Sequence, residues 1–173
     1  MKYRKKVIVI PYIMSTRNCY LMMVKDRVHD EWTFVTGGCK PHESYRSCAV
    51  RELYEETNGA LCLMHHSLNI DNFHSFYFNN EILDDGVILT YKVYFVPLHR
   101  FGYDVKSSMK LEKKYIEMAS CHKEPEFHET SALKFFHTST LTKPRNMNIW
   151  VFMKQRVFEN ESFKAYFKDV LSK

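Results

Sequence analysis

The segment from Gly37 to Gly59 limits what this chain can fold into more than any other. Tyr45, Ala49 and Leu53 recur every fourth residue with Cys48 beside them, which predicts a helix over Glu43 to Thr57 with one buried stripe. Ser44 is the expected N-cap, and Asn58-Gly59 supply left-handed residues that stop it. On that helix Glu52, Glu55 and Glu56 lie three and four positions apart, so their carboxylates share one face, away from the stripe. Each such like-charge pair costs ~0.2–0.5 kcal/mol on an isolated helix. A hard divalent cation, Mg²⁺ or Mn²⁺, turns that cost into a binding site, because it takes oxygen ligands from a few carboxylates and from substrate phosphates. Arg51 can hold one carboxylate by a bidentate pair. Glu43, at the helix entrance, is either its partner or a further ligand. Gly37-Gly38 lets the backbone turn sharply and approach the helix.

The surroundings set the class. The chain has 173 residues, enough for a single domain spanning 1–173. Hydrophobic residues are 45% and charged residues 26%, a globular and not a disordered balance. No apolar run reaches the ~18 residues of a membrane span. The basic start, Met1 to Lys6, leads to a short apolar stretch without a small-residue cleavage site, so a cytoplasmic protein is expected. Cys19, Cys39, Cys48, Cys62 and Cys121 include no Cys-x-x-Cys pair and read as free thiols. Cys62, His65, His66, His74, Cys121 and His122 match no compact zinc spacing.

Val7 to Ile10, Cys19 to Val24 and Trp32 to Val35 read as strands, the first two joined by a turn at Ser15-Thr16-Arg17-Asn18. Phe73 to Phe78 and Val87 to Val96 read as two more, with turn chemistry between them at Asn79-Asn80 and Asp84-Asp85-Gly86. Val105 to Ala119 is an expected helix, with Met109, Tyr115, Ile116 and Met118 as its apolar residues. Leu133 to Phe136 is a last strand. Met147 to Leu171 is an expected helical segment, broken near Asn160, with Phe163, Tyr166, Phe167, Val170 and Leu171 on one side. The whole reads as α+β, a mixed sheet with helices against it.

Gly37, Glu43, Arg51, Glu52, Leu53, Glu55 and Glu56 stand at the spacing of the Nudix box, and the chain resembles the Nudix hydrolases. Asn58 replaces the box glycine and Gly59 the following aliphatic residue. Asn tolerates a left-handed backbone, so the helix end should survive. The resemblance implies an α/β/α sandwich with a mixed central sheet. It also implies metal-dependent hydrolysis of a nucleoside diphosphate linked to another group. It makes Glu52, Glu55 and Glu56 the metal ligands, with Arg51, Glu43, Gly37 and Gly38 orienting them. A further carboxylate outside the box is expected as base or extra ligand. Glu129 is the first candidate, then Glu126 and Glu124.

The box names the reaction and not the substrate. The 5′ cap of RNA, a small nucleotide (ADP-ribose, a dinucleoside polyphosphate, a damaged triphosphate) and a diphosphoinositol polyphosphate are the readings. Phe34 to Lys40 is similar to Nudix proteins of large DNA viruses, some of which remove mRNA caps. A fourth reading, from another class, is an inactive nucleotide- or RNA-binding module. The intact glutamates argue against it. Trp32, Tyr77, Phe78 and Tyr91 are candidate base stackers, and Lys40 is a candidate substrate contact. The net charge of +5 is unevenly placed. Residues 1–129 hold 17 Lys and Arg against 17 Asp and Glu, whereas 130–173 hold 8 against 3. Lys143, Arg145, Lys154, Arg156, Lys164 and Lys168 lie in that stretch, and a basic helical segment over 144–173, with Lys164 and Lys168 foremost, is the expected place for a polyanion.

Overall fold

The computed structural model describes residues 2–16, 18–63, 69–83, 86–142 and 147–172. Seven strands form one mixed sheet: β1 (Lys2–Ser15), β2 (Asn18–Asp26), β3 (Trp32–Thr33), β4 (Val35–Gly38), β5 (Ser75–Ile82), β6 (Val87–Pro97) and β7 (Thr130–His137). Helices α1 (Tyr45–Glu56), α2 (Val105–Ala119), α3 (Thr138–Thr142), α4 (Val151–Met153) and α5 (Glu161–Ser172) cover it.

Strand β1 is the axis of the sheet. Along one edge it pairs in parallel with β6, from Lys2↔Val87 to Tyr12↔Pro97. Along the other it pairs antiparallel with β4 over Lys6–Val9 and with β2 over Tyr12–Ser15. Pro11, which has no N–H, falls in the gap between those two pairings. Alternation sends Val7, Val9 and Ile13 to one face and Ile8, Ile10 and Tyr12 to the other, and all six are buried. The first face packs Cys48, Ala49 and Leu53 of α1 with Leu111 and Tyr115 of α2. The second packs Leu141, Met153, Val157 and Phe167. Helices therefore cover both faces, and the architecture is the α/β/α sandwich of an α+β chain.

Several local expectations change. Asn79-Asn80 is not a turn but a stretch of β5, which continues to Ile82 with a register shift after Asn79 because pairing with β6 absorbs the irregularity. Helix α2 has the expected bounds, but Met109 and Ile116 are 75% and 71% exposed, and Leu111 joins Tyr115 in the core instead. The lysines around that stripe leave two apolar registers open, and packing against the sheet selects the other one. Residues 147–150 are not helical. Ile149 makes a parallel bridge to Trp32, and helix begins only at Val151. A π-helical turn over Lys154–Phe158 follows, and the break falls at Asn160, whose side chain accepts from the Ser162 N–H at 2.9 Å. Phe163, Tyr166 and Phe167 join the second core. Arg17, His65, His66, Asp84, Asp85, Lys143 and Arg145 lie outside the described residues, as do the side chains of Val170 and Leu171.

Candidate active site

The box helix starts where its sequence says it should. The Ser44 hydroxyl accepts from the Ser47 N–H, and Asn58 (φ 52°) and Gly59 (φ 75°) turn the chain left-handed beyond Glu56. The Asn substitution leaves the helix end intact, as its left-handed tolerance leads one to expect. Strand β4 then brings Gly37 against the helix. A Cβ built on Gly37 would lie 1.9 Å from Cδ of Glu52, so only glycine leaves that carboxylate its place. Gly38 is different. Nothing lies within 4 Å of a Cβ there and its φ is not positive, so the sharp Gly-Gly turn expected of both residues reduces to a close approach at Gly37.

Arg51 ties the box together. Its Nε and Nη2 donate to the two oxygens of Glu43 at 2.9 and 2.8 Å. Nη1 donates to Glu52 and to Glu55, both at 2.8 Å, and Nη2 also reaches the Gly38 carbonyl at 3.0 Å. Glu43 also accepts from the Lys40 N–H, and these bonds, the Arg51 pair first, hold its carboxyl down at about 2. Between the two roles left open for Glu43, the geometry makes it the partner of Arg51. The ligand atoms of Cys39, Glu43 and Cys48 lie within 4.8 Å of one another, but with Glu43 so engaged they form no ready soft-metal site. All five cysteines are free.

Glu52 and Glu56 are buried, with 8% and 7% exposure. They do not lie on an open helix face, because β4 closes over it, with Gly37 against Glu52 and the Thr36 N–H on Glu56. Burial pushes the Glu52 carboxyl up to about 7 against the pull of Arg51. Burial, and next the charge of Glu52, pushes Glu56 well above the usual carboxylate range, and its side chain accepts only a 3.3 Å bond from the Thr36 N–H among the described residues. Glu56 and Glu129 line one cavity of about 430 Å³ with Asp26, His29, Glu31, Thr33, Thr36, Thr130 and Trp150. Glu129 is raised by desolvation first, then by Glu55. Glu124 and Glu126 are exposed and do not line this cavity.

Other expected contacts lie elsewhere. Trp32 turns away from the cavity and packs edge-on against Phe136, ring centroids 4.9 Å apart. Alternation along β3 is the reason: it puts Glu31 and Thr33 on the cavity side and Trp32 on the core side. Phe78 and Tyr91 stack on each other at 4.9 Å and pack with the second core. Tyr77 is 57% exposed and meets Tyr45. Lys40 is exposed, and only its backbone serves the box, through Glu43. Lys164 and Lys168 border a separate cavity of about 400 Å³ beside Phe163 and Phe167, and Lys164 pairs with Glu161 at 2.8 Å. Asp26, His29, Glu31, Thr33, Thr36, Thr130 and Trp150 are the cavity residues that sequence reasoning missed, and no local signal in the sequence marks them.

A divalent cation fits the donor set. Glu52 and Glu56 are buried, and desolvation raises both carboxyls, as it raises the more open Glu129, so negative charge is disfavoured here without a counter-cation. Oxygen-only donors of this kind suit Mg²⁺ or Mn²⁺.

Known proteins share this fold. The fold matches an Ap4A hydrolase of C. elegans, solved as a binary complex, with TM-score 0.55 and 15% identity over 96% of this chain and 98% of that one. It matches the Bacillus subtilis pyrophosphohydrolase BsRppH, solved as a mutant, with TM-score 0.57 and 15% identity over 96% and 82%. It also matches the NUDIX domain of Shewanella oneidensis NrtR, solved with ADP ribose, with TM-score 0.53 and 9% identity over 98% and 89%. No curated protein matches significantly in sequence. The model of the NUDIX domain matches residues 2–150, a span that takes in the sheet, the box helix and the Glu129 loop. The chain thus belongs to the Nudix family of pyrophosphohydrolases.

Proposed function

We propose that this protein hydrolyses a diphosphate linkage in a nucleotide, with the 5′ cap of RNA as the first substrate to test. The observation that carries the hydrolytic reading is the burial of Glu52 and Glu56 in one box, with Glu56 and Glu129 on the wall of a cavity and Glu52 and Glu55 held together by Arg51. Such a cluster is costly until a cation occupies it.

Glu52, Glu55 and Glu56 are the residues to hold the cation, and Glu129 is the carboxylate to add from outside the box. Bound there, Mg²⁺ or Mn²⁺ supplies Lewis acidity, charge neutralisation and a more acidic water. The chain's own residues do the rest. Arg51 fixes Glu52 and Glu55 in one orientation. Glu43 fixes Arg51. Gly37 leaves room for Glu52. Partial desolvation, and next the charge of Glu55, raises Glu129 above an ordinary carboxylate, which suits it to accept a proton from the attacking water.

Two features support RNA among the substrates: the excess of Lys and Arg over 130–173, and an aromatic residue, Trp150, at the cavity wall. Small nucleotides are the second reading, because the NrtR domain was solved with ADP ribose and the worm relative is an Ap4A hydrolase. Diphosphoinositol polyphosphates, densely anionic, have no Lys or Arg to meet among the described cavity-lining residues. No helix among the described residues is long and apolar enough to cross a membrane. We place the protein in the cytoplasm on its free thiols, the same ground that the sequence offers.

The test is a panel. Cap-labelled RNA, ADP-ribose, a dinucleoside tetraphosphate and a diphosphoinositol polyphosphate are incubated with Mg²⁺ or Mn²⁺, and products are identified by mass. Release of a 7-methylguanosine phosphate from capped RNA, faster than any other cleavage, is expected. Hydrolysis of ADP-ribose or the tetraphosphate alone would favour the small-nucleotide reading. No release from any substrate would favour a binding module.

A further inference from the structure

The cavity beside the glutamates has two kinds of lining. Glu56 and Glu129 are the acidic part, and under the hydrolase reading cations and phosphates belong beside them. Glu31, Thr33 and Trp150 are brought together by the parallel bridge between Trp32 and Ile149. The Trp32 N–H donates to the Asn148 carbonyl at 2.7 Å, and the Trp150 N–H donates to the Trp32 carbonyl at 3.0 Å. With Trp32 and Ile149 turned into the core, Glu31 and Thr33 line the cavity, and Trp150 packs on the same core while also forming part of the cavity wall.

Trp150 is braced. Its indole stacks on Phe152 with centroids 4.7 Å apart and planes 28° from parallel. Glu31 has no hydrogen-bond or ion-pair partner for its carboxylate among the described residues. Asp26, by contrast, is engaged by the His29 N–H and ring at 2.6 and 3.0 Å. No Lys or Arg lines the cavity among the described residues. The Trp150 and Glu31 lining therefore offers a phosphate no cationic partner. It offers a flat, electron-poor ring with N–H donors on its edge two partners: a tryptophan to stack on and an unengaged carboxylate to donate to.

We propose that Trp150 and Glu31 form a base-recognition site for guanine, and for N7-alkylated guanine above all. Guanine presents N1–H and N2–H₂ side by side, so one carboxylate accepts both bonds, whereas adenine offers a single amino group. Alkylation at N7 makes the ring cationic. That strengthens its attraction to an indole face and to a carboxylate together. The inference rests on the hydrolase reading for the phosphate end of the ligand and is independent of it at the base end.

Nucleosides separate the two. Without added metal, wild-type fluorescence is titrated with 7-methylguanosine, guanosine and adenosine, none of which carries a phosphate. Quenching is expected in that order of affinity, and Trp150→Ala should lose it, with at least ~10-fold weaker binding of 7-methylguanosine. Glu31→Gln, which lies away from the core and should fold in any case, is expected to narrow the preference for 7-methylguanosine over adenosine by at least ~5-fold. In turnover of a 7-methylguanosine-containing diphosphate, both variants should raise KM and leave kcat within about twofold. Substrate hydrolysis with wild-type KM in both variants, or equal nucleoside affinities in wild type and Glu31→Gln, would overturn the base site while leaving the hydrolase reading intact. Selective nucleoside binding without hydrolysis of any diphosphate would leave the base site standing and overturn the hydrolase reading.

Discussion

Both oxygens of Glu43 accept from the guanidinium of Arg51, and the same guanidinium donates at 2.8 Å to Glu52 and to Glu55. One side chain thus sets the spacing of two carboxylates proposed to hold the metal and anchors itself on a third. Lysine has the charge but not the fork. Arg51→Lys should lower kcat by ~10- to 100-fold. Arg51→Ala should also lower stability by about 2 kcal/mol, a figure reduced from that of a fully buried pair because the site is partly open. Chemical denaturation and steady-state kinetics measure the two losses.

Gly37→Ala should act on the site more than on the fold. The new methyl meets the end of a side chain, Glu52, and not backbone. That carboxylate must swing away and break its bond to Arg51. The expected result is a midpoint shift of a few degrees with most turnover lost. Gly38→Ala, with open space around its Cβ, should change neither by much.

The buried carboxylates predict a link between pH and metal. The folded-state value for Glu52, about 7, lies above its ordinary 4.5. Between those values the folded protein keeps a proton that the unfolded chain releases. That contribution to stability is fully present below about 4.5 and is lost as pH rises through 7. Metal-free protein should therefore lose thermal stability from about pH 5 to about pH 8, and Mn²⁺ should restore more of it at the upper end of that range than at the lower. Glu43 runs the other way. Its stabilisation is present above 4.5 and fails only as pH falls through about 2, outside that window. Thermal scans with and without Mn²⁺ at several pH values read the sign directly.

Lys164 and Lys168 lie apart from the glutamates. If they grip RNA, Lys164→Gln with Lys168→Gln should weaken RNA affinity for all sequences alike and flatten its salt dependence, with cleavage of a short capped dinucleotide unchanged. Unchanged RNA affinity would assign them to the solvated face of α5, where Lys164 already pairs with Glu161.

What is legible in the sequence follows from how local each interaction is. The box helix, its Ser44 cap and its Asn58-Gly59 end depend on neighbours in sequence, and a period of four is enough to read them. The double-sided burial of β1 is legible from unbroken apolar residues. The partner of Glu43 is not, because Arg51 is eight residues away and only the loop's path decides. One tryptophan looks like another in composition, so Trp32 reads as a stacker when strand parity sends it to the core and Trp150 to the cavity. Glu31 is silent, because an isolated acid beside a short strand gains meaning only when Trp150 arrives from 119 residues further along.

The central claim is that Glu55 and its neighbours hold the metal for hydrolysis. The direct test is the single-turnover rate of Glu55→Gln against wild type in Mn²⁺, on whichever diphosphate the panel finds cleaved, with thermal stability measured alongside. The account predicts a fall of roughly three orders of magnitude, ~4 kcal/mol of transition-state stabilisation, with the fold retained. A wild-type rate in Glu55→Gln would contradict it.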